Sequence, residues 1–283
     1  MMEIIATHIE VTDPAFDAIK YFYCIQTPAD FQAKTQHLSP SLEMMLIFNF
    51  GSPVRVSFAD AHFGGLQVER VSAIGPLRQM LHYEVLPGTD LIITVFNPDG
   101  FFRLMQMPMD EMGEEKVVDP DLLLHITGFN NLWQQLKDLA TLDERISLLK
   151  EHAMAFIQDA EQATLPLVAG IPYFNNPLIQ PVRAIAQDSN LSERTVQLRF
   201  KKYLGYSPKE LIRFLRFKQV IESIQQQQSS QVDWYALVEQ FGYHDQSHLI
   251  KDFKQYLGMT PQKFVKDIAG KEFCVSRPGK YYS

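Results

Sequence analysis

The sequence predicts an α+β chain in two parts. The first is an N-terminal antiparallel β-barrel or roll with packed helices. The second is a C-terminal all-α domain of two helix-turn-helix units joined by a long helix. Three observations carry this expectation. Between Ile19 and Asn97, short runs rich in Val, Ile, Phe and Tyr alternate with Gly, Pro, Asn and Asp, the texture of successive short strands. From Phe101 the apolar spacing becomes helical. Finally, FKKYLGYSPKEL at Phe200–Leu211 returns as FKQYLGMTPQKF at Phe253–Phe264, 53 positions later and identical at six positions, as expected of one supersecondary unit used twice.

Taken in order, strands are expected at Tyr21–Ile25, Met44–Phe50, Val54–Phe58, Leu66–Ile74, Gln79–Leu86 and Leu91–Phe96, separated by turn residues such as Gly51–Pro53, Gly75–Pro76 and Pro87–Asp90. Helices follow at Phe129–Ala140 and Asp143–Gln158. In the second, Ile146, Leu149, Ala153, Phe156 and Ile157 form one apolar stripe, suited to packing on the strands or to a dimer seam. Met105, Met107, Met109 and Met112 are expected to pack between strand and helix layers. Pro166, Gly170, Pro172, Pro177 and Pro181 mark a connection. The expected division is therefore 1–164, a linker 165–177, a helical domain 178–269 and a tail 270–283. Gln225–Gln231 reads as the joint between the two repeat units.

The first unit opens with a short helix, Pro181–Asp188, and turns at Ser189–Leu191. Ser192 is an expected N-cap for a second helix that stops at Gly205. On that helix Val196, Phe200, Tyr203 and Leu204 share the inward face. Arg194, Gln197, Leu198 and Lys201 share another. Arginine and glutamine pair bidentately with guanine and adenine edges; Ser192, Arg199, Lys201 and Lys202 suit phosphates. The second unit repeats the plan. Trp234–Phe241 supports, Gly242 turns, Asp245 caps, and Gly258 stops a helix with Leu249, Phe253 and Leu257 inward. Gln246, Ser247, Ile250 and Lys251 remain for the groove, with His248 and Lys254 for the backbone. Asp252 is expected to point away from DNA. Ser207-Pro208-Lys209-Glu210 is a capping box. It starts a helix through Ile224, about 25 Å long at about 1.5 Å per residue. Arg213, Arg216 and Lys218 read as solvated charges on it.

Net charge is −7, which by itself argues against a nucleic-acid partner. Its distribution reverses that. Residues 1–177 carry 10 Lys and Arg against 23 Asp and Glu, whereas residues 178–269 carry 13 against 9. The basic excess coincides with the repeat. Cys24 and Cys274 are the only cysteines, consistent with a reducing cytosol. No apolar run reaches the roughly 18–20 residues of a membrane span, and no secretory leader is expected. His37, His62, His82 and His125 are scattered, with no spacing for a metal-binding roll. There is no Gly-rich phosphate loop and no GxSxG elbow. Neither catalysis, a metal nor a cofactor is expected.

LSERTVQLRFKKYLGYSPKELIRFLRF and FGYHDQSHLIKDFKQYLGMTPQKF give residues 178–265 a close resemblance to the AraC/XylS family of bacterial transcription regulators. HLSPSLEMMLIFNFG, SAIGP and TVFNPDGFFRLMQMP resemble, less closely, the cupin-like barrel sensor attached to some members. The resemblance implies base contacts from Arg194, Gln197 and Leu198 in the first unit and from Gln246, Ser247 and Lys251 in the second. Leu198 stands where relatives often carry arginine. It implies a cytoplasmic protein with double-stranded DNA as partner, a small-molecule effector or a homodimer through the N-terminal part, and RNA polymerase for an activator. Two alternatives stay open: a small-molecule sensor acting through protein contacts without DNA, and an effector-independent regulator whose N-terminal part only dimerises.

Overall fold

The computed structural model describes residues 5–58, 62–112, 116–226 and 232–268. Among the described residues nine strands build the N-terminal part: β1 (Ile5–Glu10), β2 (Ile19–Gln26), β3 (Lys34–Leu38), β4 (Met45–Asn49), β5 (Val54–Phe58), β6 (Gln67–Val68), β7 (Val71–Ile74), β8 (Leu81–Val85) and β9 (Asp90–Phe96). They form two antiparallel sheets, in the orders β1-β2-β9-β4-β7 and β3-β8-β5-β6.

Side-chain alternation explains the layering. β4 is buried at all five positions because successive side chains point to opposite faces. Met45 and Ile47 join a core between the sheets that also holds Ile25, Val56, Leu81 and Val95. Leu46 and Phe48 join a second core, beneath the helices. There α1 (Gly100–Met105), α3 (Gly128–Asp138) and α4 (Leu142–Phe156) supply Phe101, Phe129, Leu132, Leu136, Ile146 and Leu149, and α2 (Pro120–Leu124) packs the partly buried Leu123 and Leu124 against them. The Trp133 indole of α3 donates to the Asn49 carbonyl at 2.7 Å, so its one polar atom is satisfied in the apolar layer. α4 starts with a reciprocal capping box between Thr141 and Glu144.

Several sequence expectations change here. β1 and β3 lie at sheet edges, and β3 (KTQHL) is too polar to show a core face. The single strand expected at Leu66–Ile74 is two, split at Glu69-Arg70, and the halves belong to different sheets. Phe156, expected in the apolar stripe of α4, is 55% exposed and stacks on His152 at 4.1 Å, because the helix ends there. Met105, Met109 and Met112 are buried as expected.

The proline-rich stretch after α4 is helical: α5 (Leu165–Gly170) is followed by a 3-10 turn at Ile171–Asn175. Pro166 and Pro172 occupy first-turn positions, where a missing N–H costs nothing. Leu167 is fully buried. An added Cβ on Gly170 would collide with the Ile185 side chain, so this close packing requires glycine.

The C-terminal part comprises α6 (Pro181–Asp188), α7 (Glu193–Arg199) with a π turn at Phe200–Leu204, α8 (Pro208–Gln226), α9 (Trp234–Gln240), α10 (Gln246–Leu257) and α11 (Pro261–Asp267). Most of the expected joint, residues 227–231, and the tail from 269, including Cys274, lie outside the described residues. Among the described residues no helix is long and apolar enough to cross a membrane.

Candidate nucleic-acid interface

The two expected recognition helices, α7 and α10, are built the same way. Ser192 caps α7, its hydroxyl accepting from the Thr195 amide at 3.0 Å. Asp245 caps α10, accepting from the His248 amide at 2.9 Å. Each helix ends on a glycine in the left-handed region, Gly205 at φ +76° and Gly258 at +68°, conformations that side chains with a Cβ resist. Gly242, at φ +62°, makes the turn of the second unit. The inward faces are as expected: Val196, Phe200, Tyr203 and Leu204 are buried in the first, and Leu249, Phe253 and Leu257 in the second, where Tyr256 joins them.

The opposite faces carry the expected contact residues. Arg194, Gln197, Leu198, Lys201 and Lys202 are exposed on the first helix. Ser247, His248, Lys251 and Lys254 are exposed on the second, and Gln246 is half-buried. Leu198 is 58% exposed at the centre of its face, an apolar group without a core to join. Arg199 is half-buried and reaches the Ala163 carbonyl at 3.5 Å. The Ser192 hydroxyl is engaged in its own cap.

Asp245, at the start of α10, is occupied by local bonds. Its Oδ1 faces the His248 ring and its Oδ2 the His244 ring, each at 3.1 Å. The His248 amide first, then the His244 ring, hold its carboxyl at about 2. Among the described residues these three form the group whose ligand atoms lie within 4.8 Å of one another; capping and hydrogen bonds account for the arrangement. The pairing of β3 with β8 also brings His37 and His82 together, Nδ1 to Nδ1, at 2.8 Å. Burial lowers the His37 pKa.

One constellation escaped the sequence. Asp252 lies mid-helix in α10 and is 2% exposed. Its Oδ1 accepts from Arg213 Nε at 2.7 Å, its Oδ2 from the Tyr243 hydroxyl at 2.9 Å, and Arg216 Nη2 lies 3.8 Å away. The Arg216 guanidinium also covers the Tyr243 ring at 4.2 Å. Burial, then Asp252, raises the Tyr243 pKa. The two arginines expected as solvated charges therefore hold the second recognition helix against α8.

The capping box at the start of α8 forms as read: the Glu210 amide donates to Ser207 Oγ, and the Ser207 amide to Glu210 Oε2 at 2.8 Å. Burial pushes the Glu210 carboxyl up, but the bonds from Ser207 and Arg78 outweigh it and leave the pKa below its ordinary value of 4.5. Because the folded pKa is the lower one, this stabilisation is full above the unfolded value and is lost as pH falls through the folded value. Thermal unfolding between pH 6 and 3 checks this (roughly the range that brackets a carboxylate). Glu210→Gln should flatten the acid limb of the stability curve relative to wild type.

Comparison with known proteins agrees with this construction. Residues 185–267 match the family described as a helix-turn-helix domain. Residues 16–118 match a domain of unknown function (DUF6597). No curated protein matches the chain. Among solved structures, ToxT from Vibrio cholerae aligns at 11% identity, covering 88% of this chain and 98% of its own, with a TM-score of 0.36. An unsaturated fatty acid-bound ToxT aligns at 11%, covering 94% and 97%, with a TM-score of 0.35. Streptomyces albus HEPD with 2-hydroxyethylphosphonate and Fe(II) bound aligns at 12%, covering 69% and 45%, with a TM-score of 0.24. Overlaps this low carry no argument; the reading rests on the geometry and on the match over residues 185–267.

Proposed function

We propose, from a C-terminal segment that belongs to the AraC-type helix-turn-helix family, that this chain is a sequence-specific DNA-binding transcription regulator. The observation that carries the proposal is the doubled recognition helix. Two helices of one design turn polar and basic faces outward and seal their other faces in one continuous core. Arg194 and Gln197 read bases in one major groove, with Leu198 against a thymine methyl. Gln246, Ser247 and Lys251 read the next. Lys201, Lys202 and Lys254 anchor phosphates, with Ser192, Arg199 and His248 at the margins. α8, about 28 Å long for its 19 residues at about 1.5 Å each, suits two readers near one DNA turn apart, about 34 Å.

For the N-terminal part, the packing favours control through contacts between parts of the protein. The space between the sheets is filled by Ile25, Phe31, Ile47, Val56, Leu77 and their neighbours. A cavity beneath α3 and α4, lined by Phe22, Phe48, Thr94, Leu149 and His152, is about 30 Å³, room for about one or two waters. Small-molecule sites are typically about 300–1,000 Å³. The filled space between the sheets favours an effector-independent regulator whose N-terminal part only dimerises.

The test is duplex binding by the full chain across a salt series. Affinity should fall steeply with salt, and Lys254→Ala should weaken binding to all sequences while lowering the salt slope by about one. A salt slope that Lys254→Ala leaves unaltered contradicts the phosphate contact.

A further inference from the structure

α8 joins the two helix-turn-helix units. A second tie between them comes from the N-terminal part. The loop between β7 and β8, residues 75–80, touches both units. Arg78 donates through Nη2 to the Gly205 carbonyl and through Nε to Glu210 Oε1, the latter at 3.1 Å. One residue on, Gln79 Nε2 donates to the Gln255 carbonyl at 3.2 Å, and the Met80 amide donates to the Tyr256 carbonyl at 2.7 Å.

These acceptors have a common origin. The last four carbonyls of a helix have no partner within it, and Gln255 and Tyr256 lie in the last turn of α10. Gly205 is the stop of the first recognition helix. The loop thus satisfies backbone groups at the C-terminal ends of both recognition helices, with a guanidinium at the negative end of the first. The fit is close: a Cβ on Gly205 would lie 2.6 Å from Met44 and 3.0 Å from Pro76.

The loop is itself held by the roll. Leu77 is 1% exposed in the core between the sheets. Its amide donates to the Glu43 carbonyl at 3.0 Å, and its carbonyl accepts from the Ser41 and Leu42 amides. Lys116 Nζ fixes the Gln79 side chain at 2.6 Å. α8 sets the distance between the two units; a tie away from its axis also restrains rotation about that axis.

We infer that Arg78 and Gln79 are positioning residues which fix the rotation of one recognition helix relative to the other, and so set the spacing of DNA elements the chain accepts. This rests on the DNA-binding reading above. It also makes the packing of the N-terminal roll an input to DNA recognition.

The experiment uses the full chain and the Arg78→Ala/Gln79→Ala double variant, with Arg55→Ala, which removes the exposed Arg55–Glu84 ion pair of the roll, as control. Exchange of the Met80 amide reports docking without DNA; the double variant should lose about tenfold or more of its protection. Duplexes selected by the wild type from a random pool are then tested with their two elements moved apart by about half a turn, ~5 bp. Wild type and Arg55→Ala should prefer the original spacing by about tenfold or more, and the double variant by about threefold or less, within the usual range of coupling between sites. Binding to a duplex with one element should be unchanged. Equal spacing preference in the double variant overturns the inference, as does tighter binding to the original site. If the wild type selects no DNA, the DNA reading fails instead, and the exchange result still reports whether the loop is docked.

Discussion

Replacing Asp252 with alanine will destabilise the chain by about 3 kcal/mol, the lower part of the range for removing one partner of a buried ion pair. The lower part applies because the partners differ in burial: Asp252 is 3% exposed at its side chain, but Arg213 and Arg216 are 38% and 35% exposed. Once the carboxylate is gone, water can partly solvate both guanidiniums. The Tyr243 hydroxyl loses its acceptor. A lower denaturant midpoint for Asp252→Ala, with Tyr243→Phe costing about 1 kcal/mol, checks the assignment. DNA affinity should fall as well, because Asp252 holds the second recognition helix to α8. A stability change under about 0.5 kcal/mol would mean that the network is ornamental, as many exposed ion pairs are.

Replacing Arg194 with alanine should cost about 1–3 kcal/mol of specific binding and relax sequence preference at one base position. Arg194 is exposed in the first turn of α7, and recognition helices contact base edges from their N-terminal residues. The effect differs in kind from that of Lys254→Ala, which should lower affinity for all sequences alike. Comparing site preferences of the two variants separates a base reader from a phosphate anchor. An Arg194→Ala variant with unaltered preference at every position would remove Arg194 from the reading set.

Much of this was legible in the sequence because it is written locally. The caps Ser192 and Asp245, the glycine stops Gly205 and Gly258, and the Ser207–Glu210 capping box each depend on residues within one turn. The repeat then showed that the pattern was used twice. The buried faces of α7 and α10 followed from helical spacing alone. What stayed hidden depends on elements distant in sequence. Asp252 looked out of place on a DNA-facing helix, and only the fold reveals Arg213, Arg216 and Tyr243 around it. Arg78 and Gln79 lie in a turn whose partners are more than a hundred residues away. The polar edge strand β3 offers no hydrophobic alternation to read. Pro166 and Pro172 resembled a linker because their first-turn helical positions are visible only once the helices are drawn.

The most direct measurement is selection of bound sites from a random duplex pool by the full-length chain at about 0.15 M salt, where exposed charges farther apart than about 8 Å are largely screened. The account predicts a motif of two short elements about one helical turn, ~10 bp, apart, one lost with Arg194→Ala and the other with Lys251→Ala. Enrichment of a single short element would contradict the use of both recognition helices. No enrichment, by the full chain or by residues 178–283 alone, would contradict the central claim that this chain reads DNA.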